Sequence, residues 1–196
     1  MKAFALVAVA ALAGTAVAGP ITQRGADTSR GWNARVTPVD VSFNVGGVES
    51  WDTFLDASND VFNLNIGAGS RVIGIGWDVQ ISTVGASWLS EAVVSFTDSG
   101  ITTGVDLSVG VGDDFAGASG YSSGGVFDLT TIPLDFVVGP DGILRLEFWE
   151  SFDDVANAID ANWRSGSITI RYEPVPAPAS LALLGLGGLV AGRRRR

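Results

Sequence analysis

Apolar and polar residues alternate along most of the chain between residues 39 and 172. In the clearest run, 73–81, the apolar side chains Ile, Ile, Trp, Val and Ile alternate with Gly, Gly, Asp and Gln. A strand that turns one face to a core and the other to solvent has this period of two. The alternation recurs over 39–45, 62–66, 105–111, 132–138, 144–148 and 168–172, and less cleanly over 92–96. The pattern predicts eight or nine half-buried strands.

Turn residues separate these segments, and the best turn is Gly139-Pro140-Asp141-Gly142, where Pro fixes φ and Gly accepts a positive φ. Only 56–60 and 152–163 could form helical turns, each at most a turn or a loop, so no strong helix can cover the apolar faces. Half-buried antiparallel strands then need a second sheet. We predict an all-β fold, an antiparallel β-sandwich of the jelly-roll type, with an orthogonal barrel as the alternative.

The N-terminal segment departs from the strand pattern. Residues 1–18 contain Lys2, an apolar stretch over 3–13 and the small-residue triplet Ala16-Val17-Ala18. This order is that of a secretory signal peptide. It predicts export by the Sec machinery and cleavage between Ala18 and Gly19, so that the sandwich domain occupies 19–173.

The C-terminal segment 174–196 also departs from the strand pattern. A Pro- and Ala-rich spacer leads into an apolar run over 179–192, and four arginines end the chain. An apolar run followed by basic residues is typical of a membrane segment with a cytoplasmic C-terminus. At 1.5 Å per residue the run spans about 21 Å, less than the roughly 30 Å hydrocarbon core. We therefore predict a transient membrane segment that is cut off, the alternative being a plain anchor that is never processed.

This C-terminal segment resembles the PEP-CTERM sorting signal, the exosortase recognition tail of many Gram-negative bacteria. Pro176, Ala177 and Pro178 match its Pro-Glu-Pro box, with Ala where the box has Glu, and Arg193, Arg194, Arg195 and Arg196 match its terminal basic cluster. The resemblance implies recognition by a membrane-embedded exosortase, cleavage near the box, and retention at the cell surface or in the extracellular matrix. It implies nothing about the activity of the domain.

Charge and composition exclude several functions for that domain. Of the 12 basic residues, Lys2 and Arg193–Arg196 lie in the terminal segments, which leaves 7 against 21 acidic residues and a net charge of −14. Nucleic acid is not an expected partner, because its phosphates need a basic face. The chain has no Cys and no His, so it lacks Ser-His-Asp triads and thiolate or imidazole metal sites. No acidic pair stands out as catalytic, and we expect no enzymatic activity.

The densest acidic stretch, 147–160, is the one candidate for a cofactor site. Asp153, Asp154, Asn157 and Asp160 carry oxygen atoms of the kind that bind Ca²⁺, although the stretch does not match an EF-hand. The alternative is a solvated loop whose Trp149, Phe152 and Trp163 pack into the core. A second acidic loop contains Asp113 and Asp114 and is favoured as a loop without a binding role.

Two functions remain open at this point. The first is a non-enzymatic structural or adhesive protein of the cell surface or matrix. The second is a carbohydrate-binding module, in which calcium could assist and extracellular polysaccharide would be the partner. Aromatic side chains that could be exposed for sugar stacking are Trp32, Trp51, Trp88 and Tyr121, whereas Trp77 lies at an inward position of the pattern.

Overall fold

A computed structural model describes residues 21–25, 36–154 and 156–175. The predicted signal peptide with its cleavage site at Ala18 and Gly19, and the tail from Pro176 onward, lie outside the described residues. Twelve strands follow in the order β1 (Ile21–Gly25), β2 (Val39–Asn44), β3 (Val48–Ser50), β4 (Asp60–Asn65), β5 (Arg71–Thr83), β6 (Ala92–Asp98), β7 (Thr103–Ser108), β8 (Ala118–Ser122), β9 (Phe127–Asp128), β10 (Phe136–Val137), β11 (Ile143–Glu150) and β12 (Ala161–Glu173). A 3₁₀ turn, Leu129–Thr131, lies between β9 and β10.

The strands form two antiparallel sheets. One has the order β1-β7-β6-β11-β4, and the other has the order β10-β5-β12-β2, with β3 on β12 and with β8 and β9 on β5. The pairing is nested, because β2 pairs with β12, β4 with β11, β5 with β8 to β10, and β6 with β7. A long antiparallel ribbon that is folded over on itself pairs in this way, which is the jelly-roll arrangement. The predicted jelly-roll sandwich is confirmed.

The core lies between the sheets and is built from inward-facing residues of both. Phe148 on β11 packs edge-on against Trp163 on β12, with ring centroids 4.9 Å apart, and stacks on Phe43 of β2 at 5.9 Å. Trp77 is buried, as its place in the alternation predicts. Pairs of aromatic rings at these distances stabilise a core beyond the area they bury.

The first strand pairs with β7 along its whole length, and a charged cluster adds to its attachment. Arg24 forms two hydrogen bonds to Asp106 on β7, at 2.8 and 2.6 Å, and its guanidinium lies 3.7 Å from the centre of the Phe54 ring. Ser95 donates to the same Asp106 at 2.6 Å and accepts from the indole of Trp149 at 2.7 Å. This cluster fixes β1 at the edge of its sheet.

The strand pattern fails in one region and is incomplete in others. The predicted strand over 132–138 is wrong except at β10, because Asp128 caps a 3₁₀ turn by accepting from Thr130 N at 2.8 Å and Pro133 has no N–H to donate. Strands β1, β3, β8 and β9 were not predicted, since none shows a clear apolar alternation. The described residues of 56–60 and 152–163 form turns and loops, as expected, apart from Asp60, where β4 begins, and 161–163, which belong to β12.

Candidate functional site

Four loops meet at one end of the sandwich and are tied together through their backbones. They are 51–59, 84–91, 109–117 and 151–160, and we call this surface the loop end. Val84 N donates to Asp160 O at 2.8 Å, and Leu89 N donates to Phe115 O at 3.1 Å. The bonds from Ser151 N to Glu91 O and from Glu150 N to Asp52 O, at 2.9 and 3.0 Å, join the remaining loops. Residues far apart in the sequence are thereby held as one surface.

Two buried acidic residues, Glu150 and Asp160, lie at this end of the core. On β11 the inward-facing residues Leu144, Leu146 and Phe148 are followed, two residues on, by Glu150, which is 0% exposed. Asp160, at the start of β12, is 2% exposed. Neither oxygen of Glu150 has a hydrogen-bond partner among the described residues. The Ser50 hydroxyl, which accepts from Trp163 Nε1 at 3.1 Å, lies beside the Glu150 carboxyl and partly offsets the rise of its pKa.

Burial and mutual repulsion raise the pKa values of this acidic group. Burial raises the pKa of Glu150 to about 9, and the negative charges of Asp160 and Glu91 add to the effect. The pKa of Asp160 is also raised, first by burial and then by Asp153 and Asp154. Burial raises the pKa of Glu91 too. The neutral forms are favoured because no basic residue lies in the four loops to balance the charge.

The structure brings together three of the four residues predicted to bind calcium. Asp153 and Asp154 act electrostatically on Asp160, whose carboxylate also accepts a hydrogen bond from the backbone of Asp154. Asn157 is exposed and has a positive φ of 61°. Within 21–25, 36–154 and 156–175, no group of three or more His, Cys, Asp or Glu side chains is arranged to hold a metal ion. Calcium binding by the predicted set therefore stays a prediction. Sequence reasoning missed Glu150 and Glu91.

A second buried carboxylate shapes the loop 51–59. Glu147 is 0% exposed and accepts hydrogen bonds from Leu55 N at 2.6 Å and from Asn59 Nδ2 at 3.1 Å. It also lies 2.6 Å from Arg145 Nη1 in an ion pair. Leu55 has a φ of 73°, a conformation that costs a non-glycine residue roughly 1–2 kcal/mol. Glu147 thus holds an apolar side chain in a strained and outward position.

Large apolar side chains project from the loop end into solvent. Leu55, Trp88, Phe115 and Phe152 are 56%, 44%, 54% and 60% exposed, and Val84 is exposed as well. The expectation that Phe152 and Trp149 pack into the core is wrong: Phe152 is outermost of all, and Trp149 lies on the outer face of its sheet, 5.5 Å from Phe54. Trp163 is in the core as expected. Exposed aromatics at a loop end are typical of binding surfaces.

The other proposed aromatic and acidic residues have structural roles. Tyr121 is half-buried and donates to Asp113 at 2.7 Å, and burial raises its pKa to about 12. Asp114 accepts from Ser90 Oγ at 2.8 Å. Both contacts brace the loop 109–117, in keeping with the interpretation of this segment as a loop. Trp51 is half-buried, and Trp32 lies outside the described residues.

A shallow groove on the outer face of the second sheet is a separate feature. It has a volume of about 270 Å³ and is lined in part by Asp78, Ser122, Ser167 and Thr169. Residues 124–126 cross over Gly76, where a Cβ would come within 2.7 Å of Gly125 O. Trp77 borders the groove, but its side chain is buried. The groove offers hydroxyls and one carboxylate without an exposed aromatic ring.

Comparison with known proteins identifies the tail. Residues 174–196 match the family model of the PEP-CTERM protein-sorting motif. The resemblance of the tail is therefore confirmed, and the motif indicates an exported protein that is processed at the membrane by an exosortase. In the part of the chain that the structure describes, no helix is long and apolar enough to cross a membrane. The match does not extend to the sandwich domain.

Several solved structures are similar to this chain at low sequence identity. No curated protein matches the chain in sequence. Similar solved structures include the infectious bursal disease virus VP2 subviral particle, with 15% identity and a TM-score of 0.35, covering 68% of this chain and 32% of that one. The structure of the Gx strain of that virus has 16% identity, a TM-score of 0.37 and coverages of 69% and 32%. Tomato aspermy virus has 10% identity, a TM-score of 0.25 and coverages of 78% and 86%. The chain thus spans about a third of the length of the two bursal disease virus chains.

Proposed function

We propose that this chain is a non-enzymatic surface or extracellular-matrix protein of a Gram-negative-type bacterium, exported by the Sec machinery and sorted by an exosortase. The sorting motif at 174–196 carries this proposal. The sandwich domain is the cargo, and its loop end is the surface that meets partners outside the cell.

The side chains of the loop end are poorly placed for catalysis. The most perturbed acid, Glu150, is closed off from solvent, and a group that acts as a general acid must come within hydrogen-bond distance of its substrate. The solvent-facing groups at this end include large apolar side chains and carboxylates. Such a surface is suited to binding or adhesion.

The sorting function is tested by the mass of the mature protein. Intact-mass spectrometry of the cell-associated protein is expected to show an N-terminus at Gly19 and a chain cut near Pro176–Pro178. Deletion of Arg193–Arg196 is expected to abolish trimming and surface retention. Arg164→Ala, which removes an exposed arginine of the sandwich domain instead of the tail, serves as a control and should be trimmed normally. Normal trimming and retention of the chain without its four arginines would refute exosortase sorting.

Carbohydrate binding is the second candidate, and the exposure of Trp88 favours it. This indole is 44% exposed, and its backbone is held by Glu91, which accepts from Trp88 N at 2.7 Å. A fixed and exposed aromatic face can stack on a sugar ring. Glycan-array binding by the exported protein, with and without EDTA, is the test. We expect Trp88→Ala to abolish a real signal, whereas equal binding by Trp77→Phe, a core change, and by Trp88→Ala would exclude this role.

A further inference from the structure

Several oxygen atoms at the loop end are buried without partners. Both carboxylate oxygens of Glu150, Oδ2 of Asp160, Oδ1 of Asp153 and the hydroxyl of Ser87 have no hydrogen-bond partner among the described residues. Buried polar atoms are almost always paired in proteins, and unpaired ones call for a missing water or ion. Here the unpaired atoms come from the last residue of β11 and from the loops 84–91 and 151–160, which meet at one end of the sandwich.

All of these atoms can accept, and only the Ser87 hydroxyl can also donate. Glu150 continues the inward-facing row of β11 and is fully buried, so its carboxylate points into the closed end of the core rather than into solvent. Asp160 is nearly as buried, and Glu91 and Asp154 add further negative charge. The four loops contain no Lys or Arg. The side chains of the loop end therefore offer no cation that could balance this charge.

We propose that the loop end binds a Ca²⁺ ion, with the carboxylates of Glu150 and Asp160 and the hydroxyl of Ser87 as its side-chain ligands. Ca²⁺ takes six to eight oxygen ligands and accepts carboxylate, hydroxyl, carbonyl and water oxygens in flexible arrangements. The two carboxylates and the hydroxyl would supply part of this set, and backbone carbonyl and water oxygens would complete it. The site differs from the set predicted from sequence, since it includes Glu150 and Ser87 and omits Asn157.

A proton on Glu150 would satisfy these buried oxygen atoms less well than a bound cation. A proton on Glu150 supplies one donor, which can satisfy one acceptor, whereas a cation contacts several oxygens at once. The exposed carboxylate of Asp154 lies on the outer loop and provides a negatively charged approach for the ion. The cation site depends only on the sandwich domain, so it stands or falls independently of sorting by the tail.

The test is cation titration of the exported protein freed of metal with EDTA. Thermal unfolding and titration calorimetry are carried out with CaCl₂ and with MgCl₂. We expect Ca²⁺ to bind with a Kd of about 0.1–1 mM, as in extracellular calcium modules. Saturation is expected to raise Tm by about 5 °C or more, and Mg²⁺ to raise it less. Binding should be tighter at pH 8 than at pH 6, because protons compete for the same carboxylates.

Three variants separate a specific site from general charge screening. Glu150→Gln should abolish the Tm increase. Ser87→Ala removes the buried hydroxyl beside Asp160 but keeps the backbone hydrogen bond from Ser87 N to Val84 O, so it should fold and bind Ca²⁺ at least about tenfold more weakly. Asp114→Asn removes one charge from the same end and should respond like the wild type. The proposal is overturned by the absence of a Ca²⁺ response in the wild-type protein, by an unchanged response in Glu150→Gln, or by equal losses in Glu150→Gln and Asp114→Asn.

Discussion

Replacement of Glu150 by Gln should make the metal-free protein more stable at neutral pH. Gln has the shape of the protonated side chain but never ionises, and Glu150 lies at a fully buried position. Its pKa rises from 4.5 in the unfolded chain to about 9 in the folded protein. Between these values the folded state retains a proton that the unfolded state has lost. The contribution of Glu150 to stability is therefore complete below pH 4.5 and is lost as the pH rises toward 9.

The size of the effect follows from the two pKa values. In this window the free energy of unfolding falls by about 1.4 kcal/mol per pH unit through this one group. From pH 5 to pH 7 the loss is about 3 kcal/mol, a large fraction of the roughly 5–15 kcal/mol that stabilises a typical domain. Other acids whose pKa is raised, such as Asp160, also make the free energy of unfolding fall as the pH rises. These contributions are present in both the wild type and Glu150→Gln. The difference between wild type and Glu150→Gln isolates the term that belongs to Glu150.

The assay is denaturant unfolding in EDTA at pH 5 and at pH 7. The stability advantage of Glu150→Gln should grow by about 3 kcal/mol between the two pH values. Asp141→Asn is the control, because a hydrogen bond from Ser99 lowers the pKa of the exposed Asp141 carboxyl below its usual value. That residue is ionised in both states over the whole range, so its replacement should leave the pH dependence unchanged. Parallel pH profiles for wild type and Glu150→Gln would contradict the burial of an unbalanced carboxyl at this position.

Two further substitutions test contacts that hold loops and edges in place. Arg24→Ala removes the paired hydrogen bonds to Asp106 and the contact with the Phe54 ring, and should cost about 1–3 kcal/mol of unfolding free energy. An unchanged Tm would show that β1 is not held by this cluster. Glu147→Gln weakens the acceptor of Leu55 N, so hydrogen exchange at that amide should accelerate and stability should fall by about 1–3 kcal/mol. Unaltered exchange there would mean that the loop keeps its shape without the charge.

The sandwich was predictable because most of its strands bury one face. Strands β2, β5, β7, β11 and β12 all begin or end within a few residues of the alternating segments. Their pattern follows directly from the requirement that apolar side chains leave water on one side of a sheet. The nested pairing that makes the fold a jelly roll depends on contacts between distant segments, such as β2 with β12, and no local pattern carries that information.

The parts that escaped prediction are held by other forces. Strand β1 has the sequence Ile-Thr-Gln-Arg-Gly and joins its sheet through backbone pairing with β7 and an ion pair, for which apolar periodicity gives no signal. Strand β8 is rich in Gly and Ser and pairs with β5 along an edge. The segment 132–138 alternates well but contains Pro133, which favours a turn over a continuous ladder.

The sequence indicated only some of the acidic residues that meet at the loop end. The stretch 147–160 stands out by its density of acids, yet density alone favoured Asp153 and Asp154 over Glu150. A signal was present, because Glu150 continues the inward series of Leu144, Leu146 and Phe148 at a spacing of two. An acid at an inward position of a strand end is a stronger sign of an unusual environment than acids in a loop. The approach of Glu91 and Ser87, from another loop, required the fold.

The long strand β12 connects the acidic loop end to the residues just before the sorting motif. It enters at Asp160, beside the acidic loops, and leaves at Glu173, immediately before the sorting motif. Its 13 residues span about 40 Å. While the tail is held for processing, the carboxylates and exposed aromatics at the start of β12 are therefore at the far pole of the domain. A domain tethered through the sorting motif would therefore have its acidic and apolar loop end about 40 Å from the point of attachment.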